Sequence, residues 1–134
     1  MRSKVDEMIE SARAWFRDKF DNWDGEGAKR VLPETFERAS SIVKLVETYL
    51  NGAHADIMER VRLDPGIDGK IFLKWETKAI SILVDVPEDA SEPFAYSAGN
   101  EPLGEVAGAK TSKGRVAAAE DAARMIAFLI GFLR

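Results

Sequence analysis

The stretch Gly69-Lys70-Ile71-Phe72-Leu73-Lys74-Trp75-Glu76-Thr77-Lys78-Ala79-Ile80-Ser81-Ile82-Leu83-Val84-Asp85-Val86 decides the fold. Its apolar residues recur at every second position, the period of a strand that buries one face and wets the other. Ile71, Leu73 and Trp75 face one way; Phe72, Lys74 and Glu76 face the other. Beyond the short connection Thr77-Lys78, which is not the Asn-Gly kind that tight hairpins prefer, Ile80, Ile82, Val84 and Val86 oppose Ser81, Leu83 and Asp85.

The same period extends outward from this pair. Upstream, Val61 and Leu63 alternate with Arg60, Arg62 and Asp64, and Pro65-Gly66-Ile67-Asp68-Gly69 is turn chemistry. Downstream, Pro87 to Pro93 reads as a loop and Phe94-Ala95-Tyr96-Ser97 as a fourth strand. The pattern predicts a four-stranded antiparallel meander with one covered face. Three segments with a period of three and four supply the cover. In residues 3 to 21, Val5, Met8, Ile9, Ala12, Trp15, Phe16 and Phe20 form a stripe, with Ser3 and Asp6 placed as a capping box. Pro33 opens a second helix, with Val31 and Phe36 at the staple positions and Phe36, Ala39, Ile42, Val43, Val46, Tyr49 and Leu50 inward, and Asn51-Gly52 ends it. Residues 112 to 133 predict a last helix whose end is apolar nearly all round, through Met125, Ile126, Phe128, Leu129, Ile130, Phe132 and Leu133. The expected fold is α+β in a single domain, 1–134: two N-terminal helices, a four-stranded antiparallel sheet and a C-terminal helix, with the helices covering one sheet face.

Between the first two helices lies Asn22-Trp23-Asp24-Gly25-Glu26-Gly27-Ala28. The glycines permit positive φ, and Asn22 and Asp24 can bond their own backbone, so the stretch predicts a tight corner with Trp23 plugging the gap between the helices. Asn22, Asp24 and Glu26 are a candidate polar site. This block, with Pro33-Glu34-Thr35 and Asp68-Gly69-Lys70-Ile71-Phe72-Leu73-Lys74-Trp75-Glu76, resembles a group of small uncharacterised bacterial proteins, some carried on mobile elements. The resemblance runs from about Asp21 to Tyr96 and implies a fold more than an activity. The chain departs from the group's pattern at Leu32, where a serine is expected before Pro-Glu-Thr; the side-chain N-cap is lost there, worth ~1 kcal/mol.

Composition narrows the function. The chain has no cysteine, which excludes disulfides, thiol chemistry and cysteine-held metals, and a single histidine, His54, leaves little for a histidine-rich metal site. A net charge of −4 argues against a sequence-general nucleic-acid binder. The N-terminus lacks the apolar region of a secretory signal, and the apolar end of the last helix is too short to span a bilayer, so a cytoplasmic address without membrane contact is expected. Gly104 to Thr111 invites a phosphate-loop reading but has three residues between Gly104 and Gly108, and Ala109 separates the second glycine from Lys110. That spacing fails the motif. Lys110, Lys113 and Arg115 stay a candidate anion-binding group near the start of the last helix. Six acids and no basic residue lie between Ile80 and Ala109, as a solvated edge or a surface for a basic partner. With no cofactor or metal implied, the expected function is a non-enzymatic binding or regulatory protein acting through protein–protein contacts, with an unknown protein partner and as a homodimer through Phe72 and Leu83, Phe128 and Phe132, or both. The alternative is a small hydrolase or metal-dependent enzyme using Asp24, Glu26 and His54.

Overall fold

A computed structural model describes residues 3–78, 80–99 and 111–133. The elements in chain order are α1 (Lys4–Arg17), α2 (Pro33–Leu50), α3 (Ala55–Met58), β1 (Arg62–Pro65), β2 (Ile71–Glu76), β3 (Ser81–Val86), β4 (Phe94–Gly99), β5 (Thr111–Val116) and α4 (Ala119–Leu133). The class is α+β as expected. The sheet is an antiparallel meander of five strands in the order β1-β2-β3-β4-β5, not four.

The alternation of the sequence is carried through strand by strand. Ile71, Leu73, Trp75, Ile80, Ile82, Val84 and Val86 are all buried, on the face over which α2 crosses β2 and β3 and α4 crosses β4 and β5. α1 leans on α2 rather than on the sheet, burying Val5, Ile9 and Phe16. Among the described residues no helix covers the opposite face. Its cross-strand rows read Asp64–Phe72–Asp85–Ala95–Arg115 and Arg62–Lys74–Leu83–Ser97–Lys113. Phe72 and Leu83 are half-buried there among charges, with the Lys70 ammonium 5.3 Å from the Phe72 ring centroid.

The helix ends follow local chemistry. Ser3 and Asp6 form the reciprocal capping box: the Asp6 amide donates to Ser3 Oγ at 3.1 Å and the Ser3 amide to the Asp6 carboxylate at 3.4 Å. Leu32 gives α2 no side-chain cap, and the buried pair Val31 and Phe36 occupies the staple positions instead. Asn51 and Gly52, both at positive φ, end α2. The Tyr49 hydroxyl, near that end, donates to Glu120 at 3.1 Å, which ties it to the start of α4.

Three expectations are corrected. α1 stops at Arg17 because the Asp18 amide turns back onto the Trp15 and Phe16 carbonyls, so Phe20 falls outside the helix and is 68% exposed. Trp23 does not plug the gap between helices: it is half-exposed, its ring meets Trp15 edge-on at 6.0 Å, and its Nε1 donates to the Lys29 carbonyl at 3.2 Å. Residues 111–116 form β5 rather than the first turn of the last helix, and α4 starts only at Ala119. β5 hides from a hydrophobic-pattern reading because two of its inward residues, Ser112 and Gly114, are small. The Tyr96 ring fills the space they leave, so closely that a Cβ on Gly114 would stand 3.1 Å from it.

The indole that belongs to the core is that of Trp75, fully buried at the end of β2. Trp75→Ala is expected to cost about 3–5 kcal/mol by chemical denaturation, as a large aromatic truncated in a core. Trp23→Ala, which loses one edge-on contact and one exposed hydrogen bond, is expected to cost about 1–2 kcal/mol. Equal losses in the two variants would contradict the placement of Trp23.

Candidate functional site

The open face of the sheet holds a cleft of ≈ 600 Å³ at its β1–β2 turn end. Ala95 on β4 forms part of its floor, and Asp68, Lys70, Asp85, Glu88, Asp89, Glu92 and Arg115 line it along with Pro87 and Pro93. The sheet register explains the gathering: Asp85 and Arg115 flank Ala95 in one row, and the β3–β4 loop folds over the end of that row. Five carboxylates face two cations, so the cleft is acidic. Lys70 is held 3.5 Å from Asp68 and 3.7 Å from Asp85, and Glu88 pairs with Lys29, which leaves Asp89 and Glu92 as the lining acids outside these ion pairs.

The loop is fixed from beneath. Arg38 on α2 donates to the carbonyls of Pro87 at 2.8 Å and Glu88 at 2.9 Å. Lys29 pairs with Glu88 at 2.6 Å, and this bond keeps the lysine protonated above its ordinary range. Gly69 has positive φ, and a Cβ there would run into the Glu88 carboxylate. Within the loop, the Ser91 hydroxyl and amide both donate to Asp89, at 2.7 and 2.9 Å, and hold its carboxyl below the usual carboxylate range. The cleft therefore keeps its negative charge on a preset wall rather than on a loose loop.

The corner is as tight as its composition predicts, with Asn22, Gly25 and Gly27 at positive φ. Asn22 Oδ1 accepts the Gly27 amide at 2.6 Å; Asp24 Oδ1 accepts those of Glu26 at 2.9 Å and Ala28 at 3.0 Å. Those oxygens are occupied by backbone. The Glu26 side chain is exposed. His54 starts α3 beyond the far end of α2, about 27 Å of helix away at 1.5 Å per residue over 18 residues, so the structure does not bring it to Asp24 and Glu26. Among the described residues no group of three or more His, Asp or Glu side chains could hold a metal.

Of the candidate anion-binding residues, Lys110 lies outside the described residues, as does most of the glycine-rich segment. Lys113 and Arg115 are on the open face of β5 and not at a helix N-terminus, because the strand continues to Val116. Arg115 joins the acidic cleft instead. The candidate contact residues fall on two separate surfaces. Phe72 and Leu83 are on the open sheet face. Phe128 and Phe132 are on the outer side of α4, away from the core, 64% and 44% exposed with stacked rings 5.7 Å apart. The end of α4 is thus not fully covered, contrary to what its composition implies. No helix among the described residues is long and apolar enough to cross a membrane.

Sequence reasoning found the acids of the β3–β4 loop but not the cleft. Asp68, Lys70 and Arg115 join it only through strand register, for which the spacing of Asp68 to Lys70 on the turn was the one available signal. Comparison of the chain with protein-family models, with curated proteins and with solved structures finds no match.

Asp24 carries a testable electrostatic signature. The amides of Glu26 and then Ala28 hold its carboxyl below its ordinary value of 3.8. A carboxyl depressed by folding adds stability above its unfolded pKa and loses it as pH falls through the folded one. Thermal melts should fall as pH drops below about 4. Asp24→Asn should fall less over that interval and melt lower than the parent at neutral pH. Parallel curves for the two proteins would refute the assignment.

Proposed function

We propose that this is a non-enzymatic binding or regulatory protein that acts through protein–protein contacts, and that its acidic cleft receives a basic segment of a partner protein. The observation that carries the reading is the excess of carboxylates on a wall braced by Arg38, Lys29 and Gly69. Fixed charge of one sign in a concave surface attracts the opposite sign and orients the encounter. The adjoining sheet face offers Phe72 and Leu83 beside it as apolar contact area. The alternative of a hydrolase using Asp24, Glu26 and His54 draws no support from the geometry, since Asp24 serves the backbone and His54 sits at the other end of α2.

A lysine- and arginine-rich peptide is the direct probe. Binding measured by fluorescence anisotropy should weaken steeply with added salt. The double variant Asp85→Asn, Glu92→Lys should weaken it about tenfold or more while keeping the native circular dichroism, the scale of losing charged contacts at an interface. Peptide affinity unchanged in that variant would remove the cleft from the contact surface.

We also propose a homodimer, formed through the stacked Phe128 and Phe132 on α4. Exposed aromatic pairs on a rigid helix suit a twofold contact. The Phe72 and Leu83 face is the less apt surface because it is interleaved with charged pairs such as Arg62–Asp64 at 3.2 Å and Lys74–Glu76 at 3.4 Å. Light scattering should give a dimer mass that Phe132→Glu converts to a folded monomer and Phe72→Glu does not. A monomer mass that persists as concentration rises would eliminate the dimer.

A further inference from the structure

A second cleft, of ≈ 210 Å³, lies between the end of α1 and the first turns of α2. Its charge is opposite to that of the first. Three guanidinium groups line it, Arg13, Arg17 and Arg30, against a single carboxylate, Glu37. Arg13 is committed: it pairs with Glu37 and with Glu10 at 3.5 Å and sits 5.1 Å from the Phe36 ring centroid. Arg17 and Arg30 therefore face the cleft without a carboxylate in its lining to balance them. Arg30 Nε is enclosed and meets no acceptor among the described residues. The backbone beside it is fixed, because the Arg30 amide donates to Asp21 at 3.1 Å. The neighbouring first turn of α2 has no side-chain cap, and the one acid in that turn, Glu34, is not in the cleft lining. The floor is aromatic, with Phe16 and Phe36 buried and their rings 5.3 Å apart.

We infer that this cleft binds a small organic oxyanion, an aromatic or branched apolar group bearing one carboxylate or phosphate. The guanidinium groups of Arg17 and Arg30, both in the lining, meet the oxygens of such a group, while Phe16 and Phe36 take the apolar body. The volume falls below the ~300 Å³ at which sites for drug-sized ligands begin, so the ligand is smaller than a nucleotide. The inference is independent of the acidic cleft, with which it shares no lining residue.

Benzoate, phenyl phosphate and neutral benzamide, titrated separately, test it. Both anions should shift the Arg30 Nε–H resonance saturably and raise the melting temperature, and benzamide should do neither. Inorganic phosphate should bind more weakly than phenyl phosphate, since it has no group for the aromatic floor. Arg30→Gln should weaken anion binding about tenfold or more, the loss expected for a hydrogen bond to a charged group. Arg17→Gln, at an exposed position in the last turn of α1, should weaken it several-fold. A benzamide response equal to that of benzoate, no saturable response to either anion at millimolar concentration, or unchanged affinity in both arginine variants would overturn the assignment.

Discussion

Everything in this protein hangs on α2 lying across β2 and β3. The helix contributes Phe36, Ala39, Ile42, Val43 and Val46 to the same core as Ile71, Leu73, Trp75, Ile82 and Val84, and nearly all of them are fully buried. At about 1.5–3 kcal/mol for each large side chain removed from water, this contact outweighs any polar interaction in the molecule. α1 has no sheet of its own to cover and packs on α2; α4 pairs with α2 as it covers β4 and β5. Loosening α2 would therefore release both other long helices.

The same helix sets the polar surface. Arg38 reaches from its first turns to the start of the β3–β4 loop, and the segment leading into it supplies Lys29 to Glu88 and Arg30 to the basic cleft. The main chain of Lys29 also donates to the Ile67 carbonyl at 2.8 Å, tying the corner to the β1–β2 turn. The Asn22–Ala28 corner earns its glycines here: it must reverse the chain within a few residues and still deliver Lys29 and Arg30 to opposite sides. Asn22 and Asp24 hold that turn by accepting the amides of Gly27, Glu26 and Ala28.

What the sequence made legible was whatever is periodic and apolar. The strands β2 and β3, the Ser3 capping box and most of the inward faces of α1 and α2 follow from spacing, although Trp15 and Tyr49, which share that spacing, are exposed at the helix edges. β5 was illegible because its inward residues are small and its filling, the Tyr96 ring, belongs to another strand. The end of α1 depended on the Asp18 turn, which overrode the helical spacing of Phe20. Trp23 was misplaced by its size: an indole edge can settle on another exposed aromatic and donate to a nearby carbonyl without entering the core. Both clefts were beyond spacing arguments, because each gathers side chains from separate elements, Asp68 and Glu92 in one and Arg13 and Arg30 in the other.

The outermost strands of the sheet have a consequence for the chain's behaviour in a crowded solution. A bare strand edge is a template on which another copy can add, and repeated addition makes fibres. β1 is only four residues long and closes on Pro65, which has no amide to offer a newcomer. β5 carries Lys113 and Arg115 on the open face, so two such edges meeting would set like charges against each other. Lys113 and Arg115 thus act as gatekeepers, set against edge-to-edge addition of a second antiparallel sheet.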